Sequence, residues 1–130
     1  MSYRTIKLAM ALVALLIACG QPSKQRLTMI EQDHKWVLVD SQNKVQYQVF
    51  LYDNGPDYPS EGLYRIVRNE KIGYADTNHV VVIEPKYDCA YPFENGKAKV
   101  SNKCSIVPAG EHNIWSSDAW IYIGKDGRNL

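Results

Sequence analysis

One apolar run dominates the start of the chain: LAMALVALLIA, Leu8 to Ala18, is preceded by Arg4 and Lys7 and followed by Cys19 and a polar GQPSKQ. From His34 onward the pattern changes. Short stretches rich in β-branched and aromatic residues follow one another: WVLVD (36–40), LYRIVR (63–68), KIGYAD (71–76), HVVVIE (79–84), KAKV (97–100) and AWIYIG (119–124). Each is bounded by Asn, Asp, Gly or Pro, the signature of β-strands between turns. KAKV alternates polar and apolar, as a half-exposed strand does; VVVI does not, which predicts a strand covered on both faces. Asn69-Glu70 and Thr77-Asn78 leave two-residue gaps of the kind that close antiparallel hairpins. No segment after Cys19 holds helical periodicity. The expected fold is all-β, an antiparallel meander of short hairpins.

The apolar run needs a separate explanation. A basic start, a short apolar region and a small residue at its end make a secretory signal. As a helix the run rises about 16 Å, roughly half a bilayer's hydrocarbon thickness, so it is too short to be a stable span. Leu16-Ile17-Ala18-Cys19 resembles the bacterial lipobox. That resemblance implies cleavage after Ala18, a diacylglyceryl group on the Cys19 sulfur and acylation of the new amino terminus, palmitate being an implied chain. Several chains on one residue are what stable anchoring requires. Gly20 rather than aspartate after the cysteine points to the outer membrane in an envelope that has one. The expected organisation is a lipoprotein signal peptide at 1–18, a flexible Pro/Ser-containing tether at 19–33 and a β domain at 34–130, with Leu27, Met29 and Ile30 available for a short contact.

Composition narrows the function classes. With Arg4 and Lys7 removed, the remainder holds 13 basic against 14 acidic residues and has no basic stripe for nucleic acid. Thirteen aromatic residues after Cys19 supply a core.

The chain also repeats itself. KWVLVD at 35–40 matches KIGYAD at 71–76 at an offset of 36; EGLYRIV (61–67) corresponds to NGKAKV (95–100) with Gly62 on Gly96; WIYIGKDG (120–127) begins a third copy. This pattern is similar to the WG-repeat (KWG-repeat) family over about residues 35–127. Residues 71–100 match most of one unit: Lys71, Gly73, Tyr74 and Asp76, then Val82-Ile83-Glu84-Pro85, Tyr87-Asp88, Phe93 and Gly96. Ile72 replaces the tryptophan of the motif. Trp36 and Trp120 keep it but are followed by Val37 and Ile121 instead of glycine. The resemblance implies two to three degenerate β-repeats sharing a core.

Between Val100 and Ala119 the chain departs from that family with SNKCSIVPAGEHNIWSSD, which suggests an extended hairpin whose arms CSIVP and NIW flank Ala109-Gly110. Cys104 lies in this insertion and Cys89 in the preceding unit. In an exported domain the two remaining cysteines are expected to form a bridge that pins the insertion to the core. His34, His79 and His112 show no metal spacing, and no metal or other cofactor is expected. DNGPDYPSEG (53–62), with Asp53, Asp57 and Glu61, lacks the order of a calcium loop and reads as a solvated turn. No hydrolase elbow, phosphate loop or zinc-protease helix occurs, so no catalytic residue is assigned.

These readings converge on a non-catalytic, lipid-anchored interaction or structural module in the cell envelope, facing the periplasm or exterior. Its expected partners are the membrane, through Cys19, and a protein or other envelope component, with no nucleic acid. Trp115 is the candidate surface contact. The alternative is an envelope glycan-binding module stacking sugars on Tyr58, Tyr91 or Trp115; a hydrolase is a third, weaker reading.

Overall fold

The computed structural model describes residues 24–130, so the leader and Cys19 lie outside the described residues. Among these the chain is all strand and turn. The strands are β1 (Thr28–Gln32), β2 (Lys35–Val39), β3 (Val45–Val49), β4 (Leu51–Tyr52), β5 (Gly55–Pro56), β6 (Leu63–Arg68), β7 (Lys71–Asp76), β8 (Val81–Tyr87), β9 (Cys89–Ala90), β10 (Lys97–Ser101), β11 (Ser105–Ala109), β12 (His112–Ser116) and β13 (Ile121–Gly124). A six-stranded antiparallel sheet runs β1-β2-β3-β6-β7-β8; a three-stranded sheet runs β13-β10-β9; β4-β5 and β11-β12 are separate hairpins.

The repeat is visible in register. Leu63↔Asp76 to Ile66↔Gly73 in the β6–β7 pair recur as Lys97↔Gly124 to Val100↔Ile121 in β10–β13, while Arg68↔Lys71 recurs as Gln32↔Lys35 in β1–β2. Trp36, Ile72 and Trp120 therefore occupy one position of the unit. The turns repeat as well. Asp33-His34 and Asn69-Glu70 each have left-handed φ at both positions, as do Glu61-Gly62 and Asn95-Gly96. Two successive left-handed residues match the twist of the flanking strands, and polar residues, with Asp, Asn or Gly in each pair, fill these sites. The other turn type is built on an aspartate. Asp40 Oδ1 accepts from the backbone N–H of Gln42 and Lys44, and Asp76 Oδ1 accepts from Asn78 and Val80 in the same way. Thr77-Asn78 is consequently not a two-residue connection. The turn extends through His79, which is left-handed at φ 61°, and the strand begins at Val81.

One glycine is fixed by contact. A Cβ on Gly73 would sit 2.3 Å from the Ile83 carbonyl oxygen and 2.5 Å from the Pro85 nitrogen. Here β8 bulges: Ile72 pairs with Tyr87 and Tyr74 with Ile83, so Glu84, Pro85 and Lys86 cross above Gly73. Pro85 fits in a bulge because it has no N–H to contribute to the ladder. In the first unit Val37 pairs with Gln48 without such a crossing, and its side chain is accommodated.

Two apolar clusters lie on either side of the central strands. Tyr64, Ile66 and Ala75 join Leu27, Leu38, Tyr47 and Val49; Leu63, Ile72, Tyr74 and Ile83 join Tyr87, Phe93, Ala98, Val100 and Ile123. The VVVI run serves both, Val81 packing on the first and Val82 on the second, although both valines keep some exposure. Tyr74 and Phe93 meet edge to face at 4.8 Å, and the Tyr74 hydroxyl donates to the Tyr91 carbonyl at 2.6 Å. Burial holds the Tyr64 and Tyr74 hydroxyls well above the ordinary phenol range.

The tether is shorter than the sequence suggests. Residues 28–32 are the edge strand of the large sheet, Leu27 is buried, and its N–H donates to the His79 carbonyl. Leu27 and Met29, two of the residues expected to make a short contact, pack into the Tyr64–Ala75 cluster, and the contact extends into a full strand. Strand β3, VQYQV, also stands where no strand was expected; Tyr47 and Val49 point inward and Gln48 outward.

Candidate binding groove

The groove starts from an arginine in the middle of a strand. On β6, Arg65 alternates with Tyr64 and Ile66 and so points to the face of Leu63 and Val67, beneath the loop that joins β3 to β6. A guanidinium there requires a partner. Asp57 provides it: its Oδ2 accepts from Arg65 Nε and from the Arg65 backbone N–H, both at 2.9 Å, and its Oδ1 accepts from Nη2 at 2.8 Å. Arg65 Nη1 donates to the Ala90 carbonyl at 3.1 Å, and the guanidinium lies 4.0 Å over the Phe50 ring. Asp57 is thus buried, not part of a solvated turn, because Arg65 pulls it inward; Asp53 stays exposed at the tip of β4–β5. Glu61 is engaged elsewhere, accepting from the Gly96 N–H and lying 3.7 Å from Lys125 Nζ.

Above this ion pair lies a groove of about 720 Å³. Phe50, Tyr52, Tyr58 and Pro59 come from the β3–β6 connection, Tyr91 and Pro92 follow β9, and Ile106, Asn113, Ile114 and Trp115 belong to the β11–β12 hairpin. That hairpin is the insertion, with the arms expected and its turn at Gly110-Glu111. It projects outward. Ile106 is 67% and Ile114 50% exposed, and the wall it forms leans on the body through Trp115. Trp115 meets Phe50 at 6.0 Å and Tyr91 at 5.2 Å, both edge to face.

The hairpin's base is held in two ways. Cys89 and Cys104 stand at disulfide distance, with Cα atoms 6.2 Å apart. Beside them the Ser117 hydroxyl donates to the Lys103 carbonyl at 2.7 Å, and Ser101 and Ser117 share a hydrogen bond at 2.8 Å. Lys71 pairs with Asp88, and that ammonium holds the carboxylate below its usual range.

Tyr58, Tyr91 and Trp115, which lie far apart in the sequence, line this one groove together, with Tyr58 against Tyr52 at 6.4 Å. Cys89 and Cys104 are not among its lining residues but stand at the base of the hairpin that forms its wall; Cys19 lies outside the described residues. Sequence reasoning missed the Asp57–Arg65 floor and the contributions of Phe50, Tyr52, Ile106 and Ile114. A charged residue inside LYRIVR, an otherwise apolar strand, was the available signal. The groove continues past Ser60, Tyr91 and Pro92 into a second basin bordered by Glu94, Lys97, Lys99 and Tyr122. There Lys97 lies 4.6 Å over the Tyr122 ring and Lys99 4.6 Å over Trp120. Among the described residues no three His, Cys, Asp or Glu side chains converge on a metal position.

A family model described as WG containing repeat fits residues 72–103. That span holds β7 from its second residue, with its crossed glycine, and all of β8, β9 and β10, so the segment is similar to a WG repeat and the flanking units follow it by register. Neither a curated protein nor a solved structure matches the chain.

Proposed function

We propose that this protein is a lipid-anchored, non-catalytic binding module of the cell envelope, which presents the aromatic groove to a partner outside the cytosol. The observation that carries the binding role is the convergence of Tyr58, Tyr91 and Trp115 at one groove whose outer wall is an insertion tied down beside Cys89–Cys104. An exposed apolar concavity rimmed by polar residues is a recurrent mark of an interaction site. The anchoring role rests on the basic start, the short apolar run and Leu16-Ile17-Ala18-Cys19. Support for a non-catalytic role comes from Asp57, the carboxylate under the groove, whose two oxygens are both held by Arg65.

Two measurements test this reading. Intact mass after membrane extraction, with and without reductant, is expected to show a chain beginning at an acylated Cys19 that gains two protons' mass on reduction. Capture from solubilised membranes with the wild type and with Tyr58→Ala/Ile114→Ser is expected to yield a partner that the variant loses. An unmodified chain still starting at Met1 overturns the anchor, and identical capture by both proteins overturns the groove.

A further inference from the structure

We infer that the groove binds an extended, proline-rich peptide segment whose acidic end lies over Lys97 and Lys99; this rests on the reading of the groove as a binding site. The argument begins with the polar groups on offer. The buried hydroxyls of Tyr47, Tyr64 and Tyr74 are each hydrogen-bonded within the fold. Tyr52 and Tyr58 are exposed, Tyr58 by 70%, and with Trp115 they bring side chains that each carry one polar group on an aromatic ring to the lining of the groove. Polyproline II suits such a lining. It is extended, carries no internal hydrogen bonds, presents bare carbonyls as acceptors and loses little entropy on docking between aromatic walls.

A sugar fits less well. Its many hydroxyls need carboxylates and amides with free lone pairs, and a hydroxyl buried without a partner is costly. Asp57 and Arg65 satisfy each other, which leaves, besides the tyrosines and Trp115, Asn113 and Ser60 as the polar side chains lining the groove, and the Ser60 hydroxyl already donates to the Phe93 carbonyl at 2.6 Å.

Charge sets the direction. The groove's own charges cancel in the Asp57–Arg65 pair, whereas the adjoining basin has two lysines against Glu94. Lys99 reaches toward both Tyr91 and Trp120, so it stands where the two basins join. A peptide leaving the aromatic walls past Tyr91 therefore meets cations, and carboxylates at that end are complementary.

The test uses the full mature chain in detergent and a synthetic peptide of about twelve residues, proline-rich and ending in a run of glutamates. Indole N–H signals in a ¹⁵N correlation spectrum report the site, because Trp115 and Trp120 flank the groove and Trp36 packs against the other cluster. Saturable shifts at Trp115 and Trp120 with Trp36 unmoved are expected. Replacing the peptide's prolines by alanine, or its glutamates by lysine, should each weaken binding at least about fivefold, and Tyr58→Ala about tenfold. Lys97→Glu should lower affinity for the glutamate peptide and raise it for the lysine peptide. Equal binding of the alanine peptide, or no binding, overturns the inference. So does displacement of the peptide by a soluble envelope glycan, or the same shifts arising on concentration of the protein alone. The last two results leave the groove a binding site with another occupant; indoles unmoved by every probe, together with capture unaffected by groove variants, overturn both readings.

Discussion

Gly73 shows how one residue can carry the geometry of a unit. The WG-type glycine lies where β8 crosses the β7 backbone, and the nearest atoms to a Cβ there are backbone atoms that cannot swing away. Gly73→Ala is therefore expected to cost about 3 kcal/mol or more, or to prevent folding. Gly62→Ala meets open space and suffers only from its φ of 81°, so about 1–2 kcal/mol is expected; urea denaturation of the two variants checks the order. The Asp57–Arg65 pair is a second such case. Asp57→Ala leaves a buried guanidinium with only the Ala90 carbonyl, and a loss of about 3–5 kcal/mol is expected. Asp57→Leu combined with Arg65→Met should recover most of that loss, measured in the same way. Two partly exposed carboxylates contribute to the acid limb. Asp40 is held below its usual range chiefly by the Lys44 backbone N–H, and Asp88 by Lys71. Since both folded-state values lie below the unfolded ones, their contribution is complete above about pH 4 and is lost as pH falls through the depressed values. Denaturation midpoints should drop on acidification over that range, and less steeply in Asp40→Asn/Asp88→Asn.

At the scale of elements, the insertion matters most. A two-residue turn in the second unit, Asn69-Glu70, is replaced in the third by residues 102–120 without disturbing the strands on either side, whose pairing keeps the same register. Strands tolerate this because their pairing is fixed by the buried faces, not by the length of the connection. The β11–β12 hairpin has little core of its own. Val107 and Trp115 are its only strand residues with more than slight cover, so its position depends on Trp115 and on the bridge at its base. Removing the bridge with Cys89→Ala/Cys104→Ala is expected to lower stability by about 3 kcal/mol, from the loop entropy released in the unfolded chain. Faster amide exchange should be concentrated in β11 and β12 while β6 and β7 stay protected. Exchange that rises evenly across the domain would show that the bridge holds the core and not the wall of the groove.

At the scale of the whole molecule, the units share two cores, and that sharing separates what the sequence determined from what the tertiary structure decided. Periodicity and turn chemistry act between neighbours, so LYRIVR and KIGYAD were legible as strands to the residue, and the arms of the insertion were legible as well. The repeat was legible because equivalent turns demand equivalent residues: aspartate at 40 and 76, and glycine at 62 and 96. The strand at 28–32 was not, since its reason to form is a distant turn at His79 that offers Leu27 a backbone acceptor and a place in a core. Nor was the burial of Asp57, which looks like any acidic turn residue until Arg65 is found beneath it. Tyr58, Tyr91 and Trp115 could each be picked out as aromatics in loops. Only the fold, by laying three connections from different units side by side, made them the walls of one groove. The proposed anchor at Cys19 rests on the sequence alone, where short-range pattern carries the expectation, whereas a groove depends on which distant segments the core brings together.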